Sequence, residues 1–295
     1  MPNFLRVAVA VLLAGVTSGC VDPADDDEFV ILTTFTVIGD MVENVAGDRA
    51  RVESLTRVGA EVHGFEPTPS DIARAYEADL IIDNGLGLEA WFADFVSGVD
   101  APRVTLADVI EPIPLEGSDA PNPHAWMSPR NAILYVNLIA DTLTDIDPGG
   151  ADIYRANADA YIAELDAFAA EMDTRLAQIP PASRVLVTCE GAFSYLAADA
   201  GLEEVYLWPV NAEADPTPRD IAETIERVRL TDVPAVFCES TVSSDTMNRV
   251  VAETDARFGG TLYVDSLSTE DGPVPTYLAL LRHTVDTIAT GLGAP

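Results

Sequence analysis

The sequence predicts an α/β protein built as two Rossmann-like lobes with parallel sheets, joined by one long rigid α-helix. Three observations carry that expectation. Short apolar runs alternate with amphipathic stretches from residue 29 to about 125, and the alternation resumes after residue 180. Strands separated by helices of about ten residues read as βαβ units, which build parallel sheets. Between them, residues 151–179 contain neither Gly nor Pro, and Tyr161, Leu165, Phe168, Met172, Leu176 and Ile179 recur at three- and four-residue steps. That spacing marks one face of a single helix, roughly 40 Å long at 1.5 Å per residue. A helix of that length is a strut and not a hinge, so the lobes are expected to move little when a ligand enters.

In the first alternation, residues 29–35 form an apolar run of strand length and 37–45 an amphipathic stretch that stops at Gly47. Residues 51–58 alternate in strand fashion. Pro69-Ser70-Asp71 starts a helix to about Glu77, with side chains suited to a first turn. Residues 79–83 read as a buried strand ending in Asn84-Gly85, 88–96 as helical, and 103–109 as the closing strand. In the second alternation, strands are expected at 184–189, 204–208, 235–238 and 262–264, and a last helix at about 274–292. The chain thus divides into a leader (1–20), an acidic tether (21–28), an N-terminal lobe (29–150), the connecting helix (151–179) and a C-terminal lobe (180–295).

The leader reads as a lipoprotein signal peptide. Arg6 supplies a positive start, residues 7–16 are apolar but too short to span a bilayer, and Thr17-Ser18-Gly19-Cys20 is a lipobox. Cys20 is the expected lipidation site, and Asp22, Asp25, Asp26, Asp27 and Glu28 make the segment after it a charged tether. Two or more acyl chains would hold the protein at a membrane surface. The net charge is −33, and all sixteen basic residues are arginine. Such a potential repels phosphates, which excludes nucleic acid as a partner. It fits a saline habitat, where screening shortens self-repulsion, and is no evidence for a metal site. Cys189 and Cys238 each end an apolar run. They read as two buried free thiols, with a disulfide open as the alternative in an exported protein.

The chemistry sits in four residues. His63 lies in the glycine- and proline-framed segment 59–69, and His124 in Asn122-Pro123-His124-Ala125-Trp126-Met127-Ser128-Pro129. Glu190 and Asp265 are each placed at the end of a strand-like run. Their successive separations are 61, 66 and 75 residues, so none is a local neighbour of another. Ligands of open α/β sheets bind beyond the carboxyl ends of the strands, so two positions from each half can converge in the cleft between lobes. Two imidazoles and two carboxylates are a complete set of ligands for a divalent metal. The third histidine, His283, reads as an ordinary residue of the last helix. Glu239 also ends a strand, and reads either as an acceptor orienting a histidine N–H or as a polar strand end. Trp126 and Trp208 are expected to pack at the lobe interface.

With these segments in view, the chain closely resembles the solute-binding lipoproteins of zinc and manganese ABC importers, from about residue 32 to 292. The Pro-His-Ala-Trp segment is the most specific element. Thr33-Thr34-Phe35, Asn84-Gly85-Leu86-Gly87-Leu88-Glu89, Thr188-Cys189-Glu190-Gly191 and Val264-Asp265-Ser266-Leu267 support it. The resemblance implies a two-lobed fold with a connecting helix, a metal held between the lobes, and delivery of the ion to a permease and its ATPase. It implies a third ligand that is His or Glu, here Glu190, and a fourth that is Asp, matching Asp265. The expected protein is a monomer, exported and lipid-anchored at the outer face of the cytoplasmic membrane or in the periplasm.

Among metals, two carboxylates make a harder donor set than three histidines and one carboxylate, and chelation by both oxygens raises coordination toward six. This favours Mn²⁺, with Zn²⁺ next and then Fe²⁺, against the intrinsic tendency of such sites to bind Zn²⁺ more tightly. Residues 111–121 also lack the histidine-rich loop that many zinc-importing relatives carry. An enzyme is not expected. Four protein ligands leave little room for a catalytic water, and neither H-E-x-x-H nor G-x-S-x-G occurs, so a secreted metallohydrolase is the weaker alternative. A surface adhesin with a structural metal is the other.

Overall fold

The computed structural model describes residues 28–210 and 216–293. The signal peptide, Cys20 and the tether up to Asp27 lie outside the described residues. Among the described residues, no helix is long and apolar enough to cross a membrane.

The first half holds a four-stranded parallel sheet in the order β2-β1-β3-β4, made of β1 (Val30–Thr33), β2 (Arg51–Ser54), β3 (Leu80–Asp83) and β4 (Arg103–Thr105). The central strands β1 and β3 are buried throughout, whereas the edge strands are partly exposed. That is why β1 and β3 read as continuous apolar runs. Helices α1 (Thr36–Ala46), α2 (Pro69–Glu77), α3 (Phe92–Phe95) and α4 (Pro129–Ile146) complete this half. The 18-residue α4 is additional to the expected elements. A helix-start signal marks it: the Ser128 hydroxyl accepts from the Asn131 N–H at 3.3 Å, with Pro129 as first helical residue. The helix expected at 88–96 shrinks to Phe92–Phe95, and residues 88–91 before it are turns.

The connecting helix is α5 (Ala151–Leu176), 26 residues and about 39 Å long. The predicted apolar face is buried along its length, from Tyr154 to Leu176. One continuous core runs along it and takes in side chains of both halves, among them Ile38, Met41, Tyr135, Phe193, Leu281 and Ile288. Two smaller cores lie on the outer side of each half.

The second half pairs β5 (Val185–Glu190) with β6 (Glu203–Trp208), and β7 (Ala235–Glu239) with β8 (Arg257–Leu262), both parallel. Helices α6 (Ser194–Ala200), α7 (Pro218–Thr231), α8 (Asp245–Ala252) and α9 (Tyr277–Gly291) surround them. Strand β8 begins five residues before the expected start at 262. Gly259 and Gly260 hide it, since glycine weakens a strand pattern. A Cβ on Gly259 would stand 2.4 Å from the Phe237 ring, so the close strand packing requires glycine there.

Both halves use the same helix start. Thr68-Pro69-Ser70-Asp71 and Thr217-Pro218-Arg219-Asp220 each form a capping box with Pro at the first helical position.

Candidate metal centre

His63, His124, Glu190 and Asp265 meet in space. One potential ligand atom from each lies within 4.8 Å of all the others, and all four residues are buried. The Nε2 atoms of His63 and His124 face each other at 3.2 Å. Glu190 Oε1 stands 3.4 Å from His63 Nε2 and 4.0 Å from His124 Nε2, and Asp265 Oδ1 stands 3.7 Å from His124 Nε2. Metal–ligand bonds of ~2.0–2.2 Å put neighbouring ligand atoms ~3–3.6 Å apart. The cluster therefore has the size of a single coordination sphere, slightly expanded. Two carboxylates and two neutral imidazoles would cancel the charge of a divalent ion, which suits a site without solvent.

His124 sits in the short helical turn after Asn122-Pro123. The Asn122 side chain donates through Nδ2 to Gly191 O (2.6 Å) and Ser194 Oγ (2.9 Å), so Oδ1 is the atom left facing His124. It accepts from the His124 backbone N–H at 3.0 Å and from ring Nδ1 at 2.9 Å. The proton is thereby fixed on Nδ1, and Nε2 carries a lone pair into the cluster. The Leu88 backbone favours the protonated His63 ring, against the larger effect of burial. The turn of His63 is held by the Glu61 carboxylate, which accepts from the His63 and Gly64 N–H groups at 2.8 Å each. Trp91 Nε1 donates to Val62 O at 2.9 Å. Sequence reasoning does not single out Asn122, Leu88 or Glu61. Asn122 is legible only as part of the Pro-His-Ala-Trp segment, because its partners lie 69 and 72 residues away.

Glu190 is the last residue of β5, as expected. Asp265 is not at a strand end, because β8 stops at Leu262 and Asp265 lies three residues further on. Its loop is docked across the lobes: Gly59 N–H donates to Ser266 Oγ (2.6 Å), Leu267 N–H to Thr36 Oγ1 (2.9 Å), and Trp126 Nε1 to Val264 O (3.2 Å). Neither Asp265 carboxyl oxygen has a hydrogen-bond partner, although both are buried. Burial pushes the Asp265 carboxyl well above the usual range, reinforced by the neighbouring Glu190 charge. Burial also holds His63 below its usual value and His124 well below it, the His63 charge adding to the second shift.

One open reading is decided and two expectations need correction. Glu239 Oε2 accepts the Glu190 backbone N–H at 3.1 Å. Glu239 ends β7, which is the second of its two readings, and its carboxylate holds the Glu190 backbone and not a histidine ring. Its other oxygen, Oε1, is buried without a partner. Cys189 and Cys238 are not free thiols. They form a disulfide with Cα atoms 4.9 Å apart, tying β5 to β7 one residue before Glu190 and Glu239. Trp126 bridges the lobes, with its ring 5.3 Å from that of His124, but Trp208 packs into the outer core of the second half. His283 lies outside the cluster and contacts Thr261 O at 3.2 Å.

Comparison with known proteins places this arrangement. An iron-binding protein, YfeA, of Yersinia pestis is 48% identical over 98% of this chain and 95% of its own length. A manganese-binding lipoprotein, MntA, of Halalkalibacterium halodurans is 35% identical over 98% and 97%. The solved structure of a Mn-bound periplasmic metal binding protein from Candidatus Liberibacter asiaticus superposes with a TM-score of 0.85 at 38% identity, covering 90% of this chain and all of that one. Residues 31–291 match the family described as ZnuA, zinc-uptake complex component A, periplasmic. The chain belongs to that family of metal-binding components of ABC importers.

Proposed function

We propose that this protein captures one divalent transition metal outside the cytoplasmic membrane and hands it to an ABC permease, with His63, His124, Glu190 and Asp265 as the ligands. The observation that carries the reading is the buried cluster of two imidazoles and two carboxylates within 4.8 Å. Both imidazole Nε2 atoms converge on one point, and Asp265 brings two oxygens with no other partner. A buried carboxyl in that condition is costly unless a cation completes it. Metal enters as cargo, and with four protein ligands there is no reaction for the site to catalyse. Glu239 holds the Glu190 backbone in place. Cys20 would carry the lipid that retains the protein at the membrane surface.

Manganese is the proposed cargo, ahead of zinc and iron. The donor set is hard, and each carboxylate can bind through two oxygens, which suits an ion that takes six ligands better than a tetrahedral one. Metal content of protein purified without chelator tests the reading: about one equivalent is expected in the wild type and none in His63→Ala. If Mn²⁺ neither binds nor raises the melting temperature while Zn²⁺ does both, the choice of manganese is wrong. If none of Mn²⁺, Fe²⁺ and Zn²⁺ does so, the metal reading falls.

A further inference from the structure

The loop Asn84-Gly85-Leu86-Gly87-Leu88-Glu89 reaches the segment that carries His124. The Asn84 side-chain Nδ2 donates to Pro123 O at 3.0 Å, the carbonyl immediately before His124. We infer that Glu89 is a positioning residue for His124, acting through this loop without touching the metal.

Three features support the inference. First, the loop is held in a conformation it would not adopt alone. Gly85, Leu86 and Gly87 have φ of 86°, 54° and 82°, and a non-glycine residue in that region persists only where its surroundings over-determine it. Second, the Glu89 carboxylate supplies that constraint from inside. Its Oε1 accepts from Thr34 Oγ1 (2.6 Å) and the Asn84 N–H (2.9 Å), and its Oε2 from the Gly85 N–H (3.2 Å). The side chain thus closes the loop end to end and ties it to the segment after β1. Third, Asn84 is fixed by more than this loop. Tyr135 OH donates to its Oδ1 at 2.8 Å, which aims Nδ2 at Pro123 O. Glu89, Asn84 and Leu88 are all buried, so none of these bonds can be exchanged freely for water.

Glu89→Gln is close to isosteric but sets an NH₂ group against an N–H or O–H donor. The inference rests on the metal-binding reading above, so the test has one arm with metal and one without. At pH 8, above the value of about 7 to which burial raises Glu89, the variant is expected to bind Mn²⁺ about 10–100-fold more weakly. In metal-free protein, the ¹⁵N side-chain signals of His124 should lose their single Nδ1–H tautomer. Asp220→Ala removes a helix-capping carboxylate of the second half, and so controls for lost stability alone: both affinity and ring signals should match the wild type. Wild-type ring signals in Glu89→Gln would overturn the inference whatever the metal arm shows, as would wild-type affinity. A wild type that takes no metal at all would sink the metal reading, leaving the ring signals to decide this one. Should Glu89→Gln not fold, Thr34→Val removes one donor from the same carboxylate with little change of shape. A several-fold loss of affinity with perturbed ring signals would sustain the inference, and an unchanged variant would overturn it.

Discussion

The two sides of the cluster are prepared differently. On the imidazole side, the His124 ring has its remote nitrogen engaged by Asn122 Oδ1, and the turn of His63 is held by the Glu61 carboxylate. These groups are set in place before anything binds. On the carboxylate side, Asp265 has two bare oxygens and Glu239 one, in a region walled off from water. One side supplies geometry and the other supplies carboxyl oxygens without partners, so the free energy of capture should come mainly from the acidic side.

The largest expected effect separates binding from folding. His124→Ala should abolish stoichiometric metal binding, a loss exceeding the ~10–100-fold typical of residues that only support a ligand. Asp265→Asn should do the same and yet stabilise the metal-free protein. Its folded-state carboxyl is raised well above the ordinary 3.8, so its penalty is absent at low pH and grows as pH rises above that unfolded value. Unfolding free energies of metal-free protein from urea titrations should therefore nearly coincide near pH 4 and diverge in favour of Asp265→Asn by pH 8, by about 1 kcal/mol or more. Equal free energies at pH 8 would show that the acidic side stores no such cost.

The second effect is on pH dependence. Both histidines are shifted down and are neutral at pH 7, whereas burial shifts the Asp265 carboxyl up, so it gives up its proton less readily than an ordinary carboxyl. Binding should release protons, and affinity should fall as pH falls, the carboxyl side responding before the imidazoles. Calorimetry in two buffers of different ionisation enthalpy at pH 7 measures the protons released. A value of zero would contradict the raised carboxyl.

Much of the cluster is legible in the amino-acid sequence, and the reasons are local. His63 and His124 stand in glycine- and proline-framed loops, and Glu190 closes a strand whose apolar run is unmistakable. Asp265 is the right residue on a misplaced strand, because Gly259-Gly260 interrupts the pattern of β8. Bonds between distant segments leave no such local mark: Asn122 to Gly191 and Glu239 to the Glu190 backbone. The same holds for the disulfide, which needs a Cα separation that two strand ends acquire only once paired. In the fold, α4 falls outside the strand–helix alternation that ends near residue 125, because it follows the histidine loop and not a strand. Only the local Ser128-Pro129 pair marks its start.

The disulfide belongs to the acidic side and should matter for stability more than for chemistry. It closes a loop of 49 residues between β5 and β7, for which chain entropy suggests about 3–4 kcal/mol. The Cys189→Ser, Cys238→Ser double variant should lose stability of that order in denaturant titrations. A loss below about 1 kcal/mol would mean that β5 and β7 are held by their packing alone.

The smallest effect uses the matched capping boxes of the two halves. Thr68→Ala and Thr217→Ala remove the same hydroxyl from the same motif, and each should cost about 1 kcal/mol of stability. Their consequences for metal should differ. Thr68 ends the loop that carries His63, five residues back, whereas Thr217 starts α7, which packs against β6 and α8. A frayed α2 lets the His63 loop sample more conformations, and each costs entropy on closing over the ion. Thr68→Ala should thus weaken Mn²⁺ binding by a few-fold, and Thr217→Ala should leave it unchanged at equal loss of stability. Equal affinities would locate the rigidity of His63 wholly in its bond to Glu61, and not in the helix that follows.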